Sequence, residues 1–231
     1  DAGVTWAPTA EEYPWPLGGP HEMKLAVGPA GKVLLVATGE AMYRSDDDGR
    51  SWAKAEGFEG GCVSFFCPAG KTWYAATPKG VAVTRDAGRS WSPAKNQGLP
   101  TAVVSFCGGA ADGKTALYVS TVTEAAGGKL VGGIFRSADG GDTWTRAMGE
   151  GINTSAERQK GGQRDVPAYP YISMAANRTD TVYAYCYGNG AVPPWHDTVY
   201  RTDNGGKSWR ATYFPRPHMT EFNVRLGWIA L

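Results

Sequence analysis

The sequence predicts an all-β fold built from repeated four-stranded antiparallel sheets, and three observations predict it. First, 32 Gly and 15 Pro among 231 residues, with 12% aromatic residues, describe a chain of many short turns with large plates to bury between them. Second, an eight-residue pattern recurs: Ser45 to Trp52 (SDDDGRSW), Thr84 to Trp91 (TRDAGRSW), Ser137 to Trp144 (SADGGDTW) and Thr202 to Trp209 (TDNGGKSW). Third, Trp6, Trp52, Trp91, Trp144 and Trp209 are separated by 46, 39, 53 and 65 residues, a period that fits one small sheet per repeat.

Each position of the pattern has a mechanical reason. A short acceptor side chain (Asp47, Asp86, Asp139, Asn204) can bond the N–H groups of its own turn, and Gly49, Gly88, Gly141 and Gly206 supply the positive φ of a tight reversal. The tryptophan then opens the next strand with apolar area to bury. Asp1 to Trp6 matches the last six positions, so Asp1 and Trp6 read as the end of a fifth corner.

Taken in order, Met23 to Trp52 and Cys62 to Trp91 align without a gap, and both carry Pro-Ala-Gly-Lys (Pro29 to Lys32, Pro68 to Lys71) as the turn between strands one and two. Strand two is Val33 to Thr38 or Thr72 to Thr77, and strand three is Ala41 to Arg44 or Val81 to Val83. The third repeat places strands near Val103 to Cys107, Ala116 to Thr121 and Gly133 to Arg136. The fourth places them near Tyr171 to Ala175, Thr181 to Tyr187 and Thr198 to Arg201. The surplus length falls between strands two and three, as loops at Val122 to Gly132 and Gly188 to Asp197. Asn223 to Leu231 reads as a first strand of one more repeat.

The corner resembles the Asp box, or bacterial neuraminidase repeat, of sialidase, xyloglucanase-like and sortilin-like β-propellers and of a photosystem assembly factor. The resemblance implies a β-propeller: residues 1–231 as one segment, with a partial blade at 1–22, blades at 23–61, 62–101, 102–170 and 171–222, and the start of another at 223–231. Such an arc belongs to a ring of six to eight blades, the remainder supplied by another chain or by residues beyond this sequence. The box itself is structural in these families, and a fold does not fix a function.

The resemblance also implies where chemistry would sit, on the side away from the boxes, the side of the strand-two-to-three loops and the connections between blades. That side collects all three histidines (His21, His196, His218) and candidate sugar-handling groups. Asp165, Asp197 and Glu221 are the candidate catalytic carboxylates, and Tyr13, Trp15, Arg164, Tyr187, Trp195, His196 and Arg216 the candidate substrate-binding groups. Rings stack on pyranose faces while paired acids protonate a leaving oxygen and activate water or act as nucleophile. Glu124, Lys129 and Tyr169 share the side. The resemblance therefore implies a secreted or envelope glycoside hydrolase-like protein whose partner is a glycan or other small ligand; the alternative is a non-catalytic propeller that binds a peptide or protein. The Arg-Ile-Pro element of sialidases is absent from the sequence.

Other classes are disfavoured by the numbers. With 23 basic and 22 acidic side chains the net charge is +1, which offers no footprint for nucleic acid. No apolar run approaches the ~20 residues of a membrane span. Cys62, Cys67, Cys107 and Cys186 show no metal-ligand spacing and are expected as buried free thiols. Asp46-Asp47-Asp48 lacks the downstream Glu of a calcium loop, and no metal or cofactor is expected. Asn153-Thr154-Ser155 and Asn177-Arg178-Thr179 fit the N-glycosylation pattern.

Overall fold

The computed structural model describes residues 5–10, 12–15, 23–156, 166–187 and 198–212. Among them are sixteen strands in four antiparallel four-stranded sheets and no helix. Sheet one is β1 (Lys24–Val27), β2 (Leu34–Ala37), β3 (Met42–Ser45) and β4 (Ala53–Lys54); sheet two is β5 (Ser64–Phe66), β6 (Trp73–Thr77), β7 (Gly80–Thr84) and β8 (Ser92–Pro93). Sheet three is β9 (Val103–Ala111), β10 (Lys114–Ala126), β11 (Lys129–Ser137) and β12 (Thr145–Arg146); sheet four is β13 (Ala168–Ser173), β14 (Val182–Tyr187), β15 (Thr198–Thr202) and β16 (Arg210–Thr212). Each sheet is a simple meander, as blades of a propeller are. The chain divides into two compact units, Asp1–Ala94 and Lys95–Leu231.

In the first unit the core lies between sheets one and two, where Leu35, Ala37 and Met42 meet Trp73, Ala75 and Ala82 under Phe58 and Trp91. In the second it lies between sheets three and four, where Ala116, Tyr118 and Ile134 meet Ile172, Val182, Ala184 and Trp209. Polar groups of this second core are matched across the sheets: Tyr118 Oη donates to the Thr179 carbonyl at 2.9 Å, and the Ile172 N–H donates to Ser105 Oγ at 3.0 Å.

The four corners close alike, except that in the fourth Asn204 Nδ2 donates to Ser208 Oγ at 2.8 Å. Ser45 Oγ donates to Asp47 Oδ1 (2.8 Å) and accepts from the Gly49 N–H (2.9 Å); Asp47 accepts from the Ser51 N–H (2.8 Å) and from Ser51 Oγ (2.6 Å). Thr84, Asp86, Gly88 and Ser90 repeat these bonds, as do Ser137, Asp139, Gly141 and Thr143. Two successive residues take left-handed φ in every corner, Asp48 and Gly49, Ala87 and Gly88, Gly140 and Gly141, Gly205 and Gly206, which is the reversal expected of these glycines. The indole N–H of Trp52, Trp91 and Trp144 caps the carbonyl of its own corner glycine at 3.0 to 3.2 Å. Trp209 instead donates to the Ala147 carbonyl at 3.0 Å.

These bonds favour the ionised acid. Ser51 and its N–H hold Asp47 down to about 2, and Thr143 does the same for Asp139. At Asp86 burial pushes upward as the largest single influence, yet Ser90, Thr84 and the Arg89 N–H together outweigh it and the group again falls to about 2. A carboxyl depressed on folding stabilises the native state above its unfolded value of 3.8, and that contribution is lost as pH falls toward about 2. Urea midpoints are therefore expected to fall across that window. Asp47→Asn, Asp86→Asn and Asp139→Asn each flatten the slope, and Asn204→Asp steepens it; a slope unchanged in all four variants would refute the assignment.

Two expectations are corrected. Residues 122–132 are not a loop: β10 and β11 run on as a hairpin through a Gly127-Gly128 turn with φ of 57° and 74°, the geometry whose twist matches flanking strands. Likewise β9 and β10 extend to an Asp112-Gly113 turn with φ of 51° and 70°, beyond the expected Val103 to Cys107 and Ala116 limits. Second, the connections between repeats do not leave directly for the side opposite the corners. The outer strands β4 and β12 are only two residues long, so the outlet begins beside a following corner. Glu56 bridges Ser90, Gln97 bridges Thr143 and Glu150 bridges Ser208, all in parallel.

Those bridges are tight. Gly57, Gly98 and Gly151 follow them at φ of 69°, 95° and 83°, and a Cβ there would lie 2.3, 2.5 and 2.1 Å from the carbonyl oxygens of Trp91, Trp144 and Trp209. Only glycine fits. Gly57→Ala is expected to destabilise the first unit by about 2 kcal/mol in urea unfolding, against about 1 kcal/mol for Gly31→Ala, whose φ is 72° but whose built Cβ meets open space.

Candidate functional site

The turns between strands two and three are built on a threonine bracket. Thr38 Oγ1 donates to the Ala41 carbonyl at 3.1 Å, and Thr77 Oγ1 to the Gly80 carbonyl at 3.1 Å. In sheet three the bracket survives although eleven residues lie within it where the other two enclose two: the Gly133 N–H donates to Thr121 Oγ1 at 3.2 Å. The inserted hairpin thus stands on an intact turn, with a bulge between Thr121 and Glu124 at its root. Gly132 and Gly133 are required there, since a Cβ would fall 1.9 Å from the Val122 carbonyl oxygen and 2.1 Å from Met148 Sδ.

The hairpin root is held from one side. Leu130 is buried with Met148, Ile152 and Tyr169, and Arg146 donates to the Leu130 carbonyl at 2.9 Å. Tyr169 is packing rather than an exposed platform: its Oη donates to the Asn153 carbonyl, and Ser120 donates to its own carbonyl. Glu124, beside the bulge at the root, and Lys129, beside the turn, are both exposed on the hairpin.

The remaining candidates divide by location. Tyr13 and Trp15 do not lie on the side opposite the corners. Trp15 is 7% exposed, with its ring 5.1 Å from Trp52 at 78° and 5.2 Å from Tyr43, and Tyr13 stacks behind it at 5.2 Å. Thr9 of the same segment lies 3.0 Å from the Cβ position of the corner residue Gly49. A large ring next to an uncovered corner tryptophan gains more by burying apolar area there than by standing in solvent. Tyr187 ends β14, paired with Ala168. Asp165, Asp197, Glu221, Arg164, Trp195, His196, Arg216 and Asp1, with His21 and His218, lie outside the described residues. Trp6 is described and 89% exposed, unlike the buried Trp91, Trp144 and Trp209.

The electrostatics of the described residues belong to the corners. The carboxyl shifts there are all downward, at Asp46 beside Arg44, Asp142 beside Lys95 and Asp203 beside Arg201 as well as at the three corner acids. Groups held ionised in this way are poor proton donors at neutral pH. None of the four cysteines is in a disulfide; Cys62 and Cys186 are buried and Cys67 and Cys107 half-buried. Burial pushes Cys62 and Cys67 up to about 12, so these thiols stay protonated. Among the described residues no group of three His, Cys, Asp or Glu could hold a metal ion, and no helix is long and apolar enough to cross a membrane.

Solved structures share the fold. The GH74 xyloglucanase from Xanthomonas campestris superposes with a TM-score of 0.54 at 20% identity over 87% of this chain and 32% of that one. A GH74 enzyme from Niastella koreensis gives 0.54 at 19% over 81% and 29%, and an ancestral GH74 enzyme 0.50 at 17% over 79% and 23%. The chain therefore spans about a third or less of the length of these enzymes. No family model and no curated protein matches the chain. The fold is that of β-propeller blades.

Proposed function

We propose that residues 1–231 are an arc of an Asp-box β-propeller of the glycoside hydrolase class, with the blade limits given above. It acts on glycans at the side opposite the boxes, in a secreted or envelope setting, and the rest of the ring comes from another chain or from further residues. The observation that carries this reading is the asymmetry of the blades. On the corner side the first hydroxyl, the central acid and the last hydroxyl of the box are spent on the turn itself. On the opposite side the chain invests extra length in the hairpin grafted into the Thr121 bracket, and the sequence adds residues 188–197 between β14 and β15. Variable insertions on a rigid scaffold are where sites are built. The shared fold with GH74 enzymes supports the class without assigning a residue.

Asp165, Asp197 and Glu221 are the proposed carboxylates, with Arg164, Tyr187, Trp195, His196 and Arg216 as ligand contacts. The test is turnover on a panel of β-glucans and xyloglucan. Conversion of at least one glycan is expected, with losses of about a hundredfold or more on replacing a true acid by its amide. Unchanged turnover in Asp165→Asn, Asp197→Asn and Glu221→Gln would eliminate these three, and a chain without turnover or glycan binding would eliminate the reading.

A further inference from the structure

The fourth corner differs from the other three at its central acceptor: they carry Asp47, Asp86 and Asp139, whereas it carries Asn204, and the next residue is Gly205. Asn-Gly is the step most prone to deamidation, because glycine puts no Cβ in the way when its backbone nitrogen attacks the asparagine side chain. The folded corner opposes that attack from both ends. Asn204 Oδ1 accepts from Thr202 Oγ1 (2.9 Å) and from the Ser208 N–H (3.0 Å), while Nδ2 donates to Ser208 Oγ (2.8 Å), so the amide is held along the turn. The attacking nitrogen is tied down as well. The Gly205 N–H donates to the Asp180 carbonyl at 2.9 Å, the bond that the Ala87 N–H makes to the Lys71 carbonyl in the second corner. Tyr118 Oη and Arg136 Nε stand 3.5 Å from the Cβ position of Gly205 and close the space around the peptide. Asn204 itself is exposed, so water and base reach it whenever these bonds open.

We propose that Asn204-Gly205 is a deamidation site, held shut by the folded corner and released when sheet four opens locally, whose aspartate product the corner accepts. In the open state the Gly205 nitrogen gives its proton to solvent base and bonds to Asn204 Cγ; the Cγ–Nδ2 bond breaks and ammonia leaves, giving a succinimide. Water then opens the ring. Cleavage at Cγ leaves an aspartate at position 204, and cleavage at the backbone carbonyl leaves isoaspartate, with one more atom in the main chain. Water is consumed, ammonia is released and nothing is oxidised. The aspartate has precedents in this chain. Asp139-Gly140-Gly141 is the same corner with the acid in place, accepting from the Thr143 N–H at 2.9 Å and from the Thr143 hydroxyl. In the first corner Arg44, Asp46 and Asp47 occupy the positions of Arg201, Asp203 and Asn204, and Arg44 pairs with Asp46 as Arg201 does with Asp203. Adjacent acids are therefore accommodated there. Isoaspartate is not, because an added main-chain atom between Thr202 and Gly206 breaks the bond from the Gly206 N–H to Thr202 Oγ1 (3.0 Å). This chemistry lies on the corner side and does not depend on glycan turnover.

The test uses the full chain with Asn189→Gln, which removes its other Asn-Gly step, one that lies outside the described residues. The protein is kept in mildly alkaline buffer and sampled by peptide mass spectrometry, with an isoaspartate-specific methyltransferase as the second readout. Position 204 is expected to convert at least about tenfold more slowly in the folded chain than in guanidinium chloride. Thr202→Ala removes the hydroxyl that holds Asn204 Oδ1 and the Gly206 N–H without touching the Asn-Gly step, and is expected to speed conversion of the folded chain about tenfold. Asn204→Asp is expected to match or exceed the parent's urea midpoint at neutral pH. Equal rates in the folded and unfolded chains, or no conversion in either, overturn the proposal, as does an Asn204→Asp midpoint below the parent's. So does a Thr202→Ala chain that keeps its strand circular dichroism and converts no faster; where that variant unfolds, the folded and unfolded rates of the parent decide.

Discussion

Replacing Gly109 by Ala is expected to cost the second unit about 3 kcal/mol, at the upper end of what inserting atoms into packed structure costs. Gly109 sits on β9 opposite Ala116. A Cβ there would lie 1.6 Å from the Arg178 carbonyl oxygen, 2.8 Å from its carbon and 2.7 Å from Met174 Cε. The first two are backbone atoms of a turn that also accepts the next N–H of β9, from Ala110 to the Ala176 carbonyl at 2.8 Å. Neither can rotate aside, so either sheet three and sheet four separate or that bond breaks. Gly113→Ala is the control, for its φ is 70° but nothing lies within 4 Å of the built Cβ, and its expected cost is about 1 kcal/mol. Urea unfolding of both variants, with hydrogen exchange to tie the loss to β9 and β13, reads the difference. Equal costs would mean that the close approach is not real.

The contrast shows which parts of the fold were open to reading from residues. The corners were legible because turn, hydroxyl, acid and tryptophan are local and repeat four times, so each copy checks the others. The outlets repeat as well, as Glu56-Gly57-Phe58, Gln97-Gly98-Leu99 and Glu150-Gly151-Ile152. That signal was present but short, and its reason is a carbonyl oxygen contributed by another strand, invisible without coordinates. The hairpin at 122–132 is obscure for a different cause: Gly127-Gly128 is a turn signal, but Val122, Thr123, Glu124 and Ala125 do not alternate cleanly between apolar and polar. Tyr13 and Trp15 were misplaced because aromatic composition says what a ring can bury but not against what. The site is least legible of all. Propeller loops tolerate any length, and their residues follow the ligand rather than the scaffold.

Trp209→Ala is expected to cost the second unit about 4 kcal/mol, more than the same change at Trp52. Large-to-small replacement of a buried aromatic loses transfer free energy and leaves a cavity that the surroundings fill only in part. Trp209 is buried among Ile134, Ala147 and Ile152 of the neighbouring sheet and its outlet. Its indole N–H donates to Ala147 instead of to its own corner, so removal also orphans a carbonyl belonging to the other sheet. Trp52 is half-buried, caps only Gly49 and is covered on one side by Trp15, and its loss is expected at about half as much. Trp209→Phe separates the two parts, keeping most of the ring while removing the donor, at about 1 to 1.5 kcal/mol. Urea midpoints give the order Trp209→Ala, Trp52→Ala, Trp209→Phe. An inverted order between the first two would mean that sheets three and four are not held through this indole, and that the corner tryptophans act only within their own turns.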